Sequence, residues 1–294
     1  MNPEMRIVLA IGGGAEHGWS DCACTEAGVD RLVDSTMKIL EKYGFDGVDV
    51  DWEYPAHDGS QRTMHTRLLQ GFRRRFDACP DRAYTLSLAC CTTAWYFDIT
   101  ELEHSVIYLD FVNLMTYDVG FTSPRAIHHT CACAMPEGMA IAGSAEENIR
   151  LFLDRGIPAE KLLIGAAFYS RQWKKVENVN HGLYAPAGTE SDYGPSYTDL
   201  VRNCIDKNGY RRFWDDQAKA PYLFNGDTFI SYDDPQSIAV KCGLVHTYGL
   251  RGMMAWEYGC DQTHTLLDAM ARGLQNRGEP LNTAVRLSAQ TAIL

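Results

Sequence analysis

Several things are missing from this 294-residue chain, and each absence removes a class of function. Basic residues are in deficit: 27 Lys and Arg stand against 38 Asp and Glu, a net charge of −11. Nucleic acid and anionic lipid are therefore not expected partners. No apolar run approaches the length that spans a bilayer, so no membrane partner is expected either. The opening residues, "MNPEMRIVLAIGGG", lack a charged segment followed by a long apolar stretch and cleavage site, so no secretion signal is expected within the chain as given. None of the ten cysteines forms a C-x-x-C pair, and no Cys/His spacing suits zinc. Most are expected to be reduced, small buried hydrophobes. The glycines Gly12 to Gly14 are followed by Ala15, Glu16 and His17, which is no G-x-G-x-x-G dinucleotide fingerprint.

What is present is an alternation of strand and helix patterns. The stretch "MRIVLAIGGG" reads as a strand ending in a glycine turn. Val29, Leu32, Val33, Met37 and Leu40 recur at helical spacing over 26–43. A strand is expected over 45–52 and a helix over 63–77, with Met64, Leu68, Leu69, Phe72 and Phe76 on one face. "AYTLSLACC" is the next strand, a short helix is expected over 98–104, and "LDFVNLMTYD" follows as a strand. The helix over 144–155 opens with a capping box of Ser144 and Glu147 and stops at Gly156 and Pro158. "KLLIGAAFY" and "GLRGMMAW" are the last two strands of the series. One helix is expected from Pro235 and another over 264–276. Over 172–234 the rhythm breaks into short aromatic and polar segments, read as an inserted α+β subdomain; the tail after Pro280 is expected to be peripheral.

Apolar strands alternating with helices imply a parallel sheet covered by helices, either doubly wound or a (β/α)8 barrel. Polar residues at the C-terminal ends of several strands favour the barrel, because those ends meet at one mouth.

The most informative stretch is "DGVDVDWEYP", from Asp46. Asp49, Asp51 and Glu53 alternate with Val50 and Trp52, so the acids share one strand face and the apolar residues the other. Neighbouring acids on that face lie ~6.6–7 Å apart along the strand. Carboxylates held that close in a low dielectric cannot all ionise, so at least one must keep its proton near neutral pH. Protonation of a glycosidic oxygen needs such a group. The residues alone suggest a retaining glycosidase in which one acid protonates the leaving group and its neighbour attacks the sugar. A solvated acidic edge and a divalent-metal cluster are the bland alternatives. Alternation with Val and Trp argues against the first, and the lack of a histidine in register argues against the second.

"DGVDVDWEYP" resembles the D-x-x-D-x-D-x-E signature of glycoside hydrolase family 18, the chitinases and related enzymes, with matches at Asp46, Asp49, Asp51 and Glu53. "FVNLMTYD", "LLIGAAFYSR" and "GMMAWEYGCD" resemble that family's sixth, seventh and eighth strand motifs in order, and the likeness covers positions 6–270. It implies a TIM-barrel-type α/β fold and hydrolysis of β-1,4-linked N-acetylglucosamine polymers without cofactor or metal. It further implies substrate-assisted catalysis, which departs from the two-carboxylate scheme. Glu53 would be the general acid and then base, and the substrate's own N-acetyl oxygen the nucleophile. Asp51 would hold the acetamide N–H and share a proton with Asp49. Tyr117 would donate to the acetyl oxygen. Asp118 would position that sugar, Trp256 would form its floor and Met115 would line the pocket. Tyr169 and Arg171 are further candidate substrate contacts. Tyr54, Trp95 and Tyr169 could equally fill core, and which aromatic residues of the insertion face a cleft is open.

Two departures stand out. The family's third strand usually carries Ser-x-Gly-Gly, and here the block is Ala10-Ile11-Gly12-Gly13. That strand also starts near residue 5, so the barrel is expected to be N-terminally incomplete, with six strands; from the polymeric substrate a full-length form is expected to be secreted, with a cytoplasmic location the alternative. The implied partner is chitin or chitooligosaccharide. An endo-β-N-acetylglucosaminidase acting on N-glycans is one alternative. A non-catalytic lectin of this fold is another, and the presence of Glu53 argues against it.

Overall fold

The structure is a computed structural model and describes residues 4–14, 18–139 and 142–276. The expected tail beyond Pro280 lies outside the described residues. Six parallel strands form one sheet in the order β1, β2, β3, β4, β5, β11. They are β1 (Val8–Gly12), β2 (Gly47–Asp51), β3 (Thr85–Cys90), β4 (Phe111–Leu114), β5 (Leu162–Ala167) and β11 (Gly252–Trp256). The order follows the chain except where β11 joins β5 after the inserted segment. Among the described residues this is a curled part-barrel of six strands, as the sequence led one to expect. Among the described residues, β1 and β11 each pair on one side only.

Helices cover the outer face: α1 (Trp19–Ala23), α2 (Glu26–Tyr43), α3 (Arg62–Asp77), α4 (Ala94–Ile99), α5 (Leu102–Ser105), α6 (Ala145–Asp154), α8 (Pro235–Tyr248) and α9 (Thr265–Gln275). Their ends obey local chemistry. Thr25 caps α2 by accepting from the Gly28 N–H, and Gly44 closes it in the left-handed region. Ser144 and Glu147 form the expected capping box on α6. Asp234 and Ser237 form another on α8, with Pro235 in the first turn. Two details differ from expectation. Helix α1 is too short for a periodic signal. The single helix expected over 98–104 is instead α4 and α5, broken where Thr100 turns extended and its hydroxyl bonds the Tyr96 carbonyl at 2.7 Å.

The main core lies between sheet and helices. Val48, Val50, Leu86, Leu88, Val112, Leu114 and Ile164 are fully buried against the apolar faces of α2 and α3, among others. A second sheet of five antiparallel strands rises beside the strand ends, in the order β7, β6, β10, β9, β8. These are β6 (Tyr169–Trp173), β7 (Asp192–Ser196), β8 (Arg211–Asp215), β9 (Ala220–Phe224) and β10 (Phe229–Ser231), with a short α7 (Tyr197–Asp199) after β7. It has its own core around Trp173, Tyr222 and Phe229, onto which Val119, Ile127 and Met135 pack from the loop after β4. The strand expected over 161–169 is therefore shared between two sheets: its apolar run from Leu162 serves β5 up to Ala167, and Tyr169 already begins β6. The ten cysteines are all free thiols.

Candidate active site

Strand β2 presents Asp49 and Asp51 on one face as the alternation requires, and ends at Asp51, so Glu53 follows in a bend just beyond it. Val48 and Val50 are fully buried on the helix side, and Trp52 is buried by stacking on Trp19, with ring centroids 5.5 Å apart. Trp52 is thus a packing residue. Asp46, the first acid of the motif, stands apart from the others. Its carboxylate accepts the Ile7 N–H at 2.8 Å and pairs with Arg82 at 2.9 Å, fastening β1 to β2.

Asp49 sits beneath the cleft. Ser87 Oγ and Asn113 Nδ2 both donate to its Oδ1, the latter at 3.0 Å. The β1 residue level with it is Ala10, so the hydroxyl missing from β1 is matched by donors from β3 and β4 on the other side. Burial raises the Asp49 carboxyl, and those two donors pull it back. Asp51 is pushed up to about 7, first by burial and then by the charges of Glu53 and Asp49. Its Oδ1 is buried and accepts no hydrogen bond from the described residues. Glu53 is also raised, chiefly by burial and further by the Asp118 charge, against a lowering contact from Tyr54. The Glu53–Tyr54 and Trp256–Glu257 peptide bonds are both cis. Gly12 lets β1 run against the end of β2: at φ +115 a Cβ there would lie 2.0 Å from the Asp51 carbonyl oxygen.

Tyr117 and Asp118 follow β4. Burial, then the charges of Asp51, Asp118 and Glu53, raise the Tyr117 hydroxyl well above its ordinary value, so it stays a donor. Asp118 adopts φ 59 and is gripped by Arg171, with Nε to Oδ1 and Nη2 to Oδ2 both at 2.8 Å. Fully buried His129 lies 3.4 Å from the same carboxylate. Burial alone would raise Asp118, but Arg171 and His129 hold it well below the usual carboxylate range. Arg171 in turn lies over the Tyr193 ring at 3.9 Å and the Phe121 ring at 5.5 Å.

These groups surround one cleft of about 650 Å³ at the C-terminal ends of the parallel strands. Asp51, Glu53, Tyr117, Asp118, Met115, Trp256, Tyr169 and Arg171 line it, so eight of the nine expected residues meet there, with Asp49 just below. Trp256 is 53% exposed, presenting an open aromatic face. Of the aromatic residues left undecided, Tyr54 and Tyr169 line the cleft, whereas Trp95 packs behind Tyr54 at 5.6 Å. From the insertion Tyr193 faces it; Tyr222, Phe224 and Tyr184 belong to the second core, Tyr197 to the main core, and Trp214 packs under Arg212. The sequence offered no signal for Phe121, Thr92, Thr93 and Cys91, which also line the cleft, or for His129 behind Asp118. Among the described residues no group of three or more His, Cys, Asp or Glu side chains is placed to hold a metal ion, and no helix is long and apolar enough to cross a membrane.

A curled parallel sheet with an acid ladder at its C-terminal mouth defines a barrel-type α/β protein built around a carboxyl-lined cleft. The family model described as glycosyl hydrolases family 18 matches residues 1–261, and the chain belongs to that family. It is 33% identical over 304 residues to chitinase A1 of Niallia circulans, covering 94% of this chain and 44% of that protein. It is 28% identical to chitinase B of Serratia marcescens, covering 92% of this chain and 67% of the relative. The chain thus spans less than half the length of the first of these relatives. Among solved structures it resembles a family 18 N-acetylglucosaminidase from Paenibacillus barengoltzii, with 44% identity and a TM-score of 0.89 over 92% of this chain and 83% of that one. It also resembles chitinase ChiW of Paenibacillus sp. str. FPU-7, with 38% identity and a TM-score of 0.89 over 95% and 34% of the two chains.

Proposed function

We propose that this chain is a chitinase-like glycosidase that hydrolyses β-1,4-linked N-acetylglucosamine chains with retention, using the substrate's own acetamido group as nucleophile. The observation that carries this reading is the meeting of Asp51, Glu53 and Tyr117 at one cleft, with the Asp51 carboxyl pushed up to about 7 by burial and by the charges of Glu53 and Asp49. A carboxyl there can accept an N–H from outside, and an acetamide beside the scissile bond supplies one.

The sugar stacks on Trp256, and Tyr117 donates to its acetyl oxygen. Glu53, whose carboxyl is raised by burial, gives its proton to the glycosidic oxygen as the C1–O bond breaks. The acetyl oxygen closes onto C1 and forms an oxazolinium ion, while Asp51 accepts the acetamide N–H and offsets the cation. The Glu53 carboxylate then takes a proton from a water that attacks C1, and the ring opens with the original configuration at C1. Asp118 and Arg171 shape the wall beside Tyr117, and Asp118 adds negative charge that favours the protonated Glu53. The inserted stretch 172–234 contributes Tyr193 to that wall and deepens the cleft.

A second reading, release of single N-acetylglucosamine units from short chains, draws support from the 44%-identical N-acetylglucosaminidase. Secretion of a longer form would suit a polymeric substrate. The test is hydrolysis of chitooligosaccharides and cellooligosaccharides of equal length with product analysis. Cleavage restricted to the N-acetylated chains supports the mechanism, and comparable rates on both overturn it. Monosaccharide as the first product selects the second reading.

A further inference from the structure

The mechanism leaves one fully buried charged pair unused. Lys241 on α8 and Asp233, just before that helix, are 0% and 1% exposed, and Nζ lies 2.7 Å from Oδ2. Taking two charges out of water is expensive, and apolar residues of the same volume often serve stability equally well. What apolar residues could not do is hold backbone. Asp233 Oδ2 also accepts the Ala167 N–H at 3.0 Å, two residues before Tyr169. Lys241 Nζ donates to Thr130 Oγ1 at 2.7 Å, leaving that hydroxyl's own proton for the Thr116 carbonyl or for Asp233, each 3.2 Å away. Nζ also reaches the Gly165 carbonyl at 3.3 Å. Thr116 Oγ1 donates to that same carbonyl and accepts the Gly165 N–H, both at 2.9 Å. The ring of Tyr117 lies flush on Gly165, where an added Cβ would come within 2.7 Å of its Cε1.

We propose that Lys241 and Asp233 are positioning residues for Tyr117. Through Thr130 they hold Thr116, and through Gly165 they hold the backbone against which the Tyr117 ring rests, so the hydroxyl is aimed before substrate arrives. The kinetic consequence rests on the reading of Tyr117 as donor to the acetyl oxygen; the positioning itself does not.

Two variants test it. Thr130→Val cuts the link to Thr116 while leaving the ion pair intact. The double variant Asp233→Asn/Lys241→Met removes both charges together and so leaves none buried alone. Melting temperature, kcat and KM on chitotetraose, and the ¹⁹F resonance of 3-fluorotyrosine placed at position 117 alone are measured for each. We expect melting temperatures near that of the parent. kcat should fall about 10–100-fold, as a displaced catalytic group costs, with KM changed far less. The resonance should broaden or split. A folded variant of either kind with parental kcat and an unchanged resonance overturns the proposal. A parent chain that does not cleave chitotetraose overturns the proposed function alone, and the resonance still decides whether the pair positions Tyr117.

Discussion

Arg171 meets Asp118 in a two-pronged bond, both prongs at 2.8 Å, across 53 residues of sequence. The pair joins the end of β4 to the second sheet and fixes a charge close to Glu53. A planar guanidinium can make this fork and an ammonium cannot. Arg171→Lys should therefore let the Asp118 carboxyl rise toward its ordinary value and lower kcat/KM about tenfold, equivalent to about 1.4 kcal/mol. Carboxyl ¹³C titration and steady-state kinetics read the two effects. An unchanged Asp118 titration would show that His129 alone suffices.

Glu53→Gln keeps size and polarity and has no acidic proton to give. Turnover of an unactivated chitooligosaccharide should drop about 10²–10⁴-fold. Binding of the same oligosaccharide, followed by tryptophan fluorescence or calorimetry, should persist. Near-parental turnover would transfer the acid role to another group.

Asp51 carries a pH signature in stability. Its folded carboxyl sits at about 7 against an ordinary 3.8, so the folded state holds a proton that the unfolded chain releases. That contribution is complete below 3.8 and is lost as pH rises through 7. Asp51→Asn removes the titration, so its melting temperature relative to the parent should climb between pH 4 and pH 8 while activity is lost. A difference that stays flat across that range would mean that Asp51 is not raised.

His65 works in the opposite sense. It is fully buried behind Trp52, with neither ring nitrogen bonded to the described residues, and burial drops it to about 4 from 6.5. The unfolded chain gains the proton first on acidification. The stabilising contribution is therefore complete above 6.5 and is lost as pH falls through 4, with a slope of up to about 1.4 kcal/mol per pH unit. His65→Met fills similar volume without titrating and should flatten the acid side of the stability profile. Denaturant melts at pH 4.5 and 6.5 measure it, and equal pH sensitivity of variant and parent would contradict it.

The sequence by itself determined what period and local chemistry can express. Alternation around Asp49, Asp51 and Glu53 placed three acids on one face, because strand side chains alternate whatever surrounds them. Helical spacing placed α2 and α3, the capping box of Ser144 and Glu147 placed the start of α6, and Pro235 the start of α8, since those signals act within four residues. Tertiary structure decided which distant groups complete the site. Period says that a face is buried and does not say against what, so it could not separate Tyr193, which faces the cleft, from Tyr222, which fills a core. Nor could it divide 162–169 between two sheets, because an apolar run suits either. The donors to Asp49 from β3 and β4, the grip of Arg171 on Asp118, and the burial of Lys241 with Asp233 all join residues far apart in the chain. Only when sheet and insertion pack together are these charges desolvated, and desolvation is what makes their pairing strong.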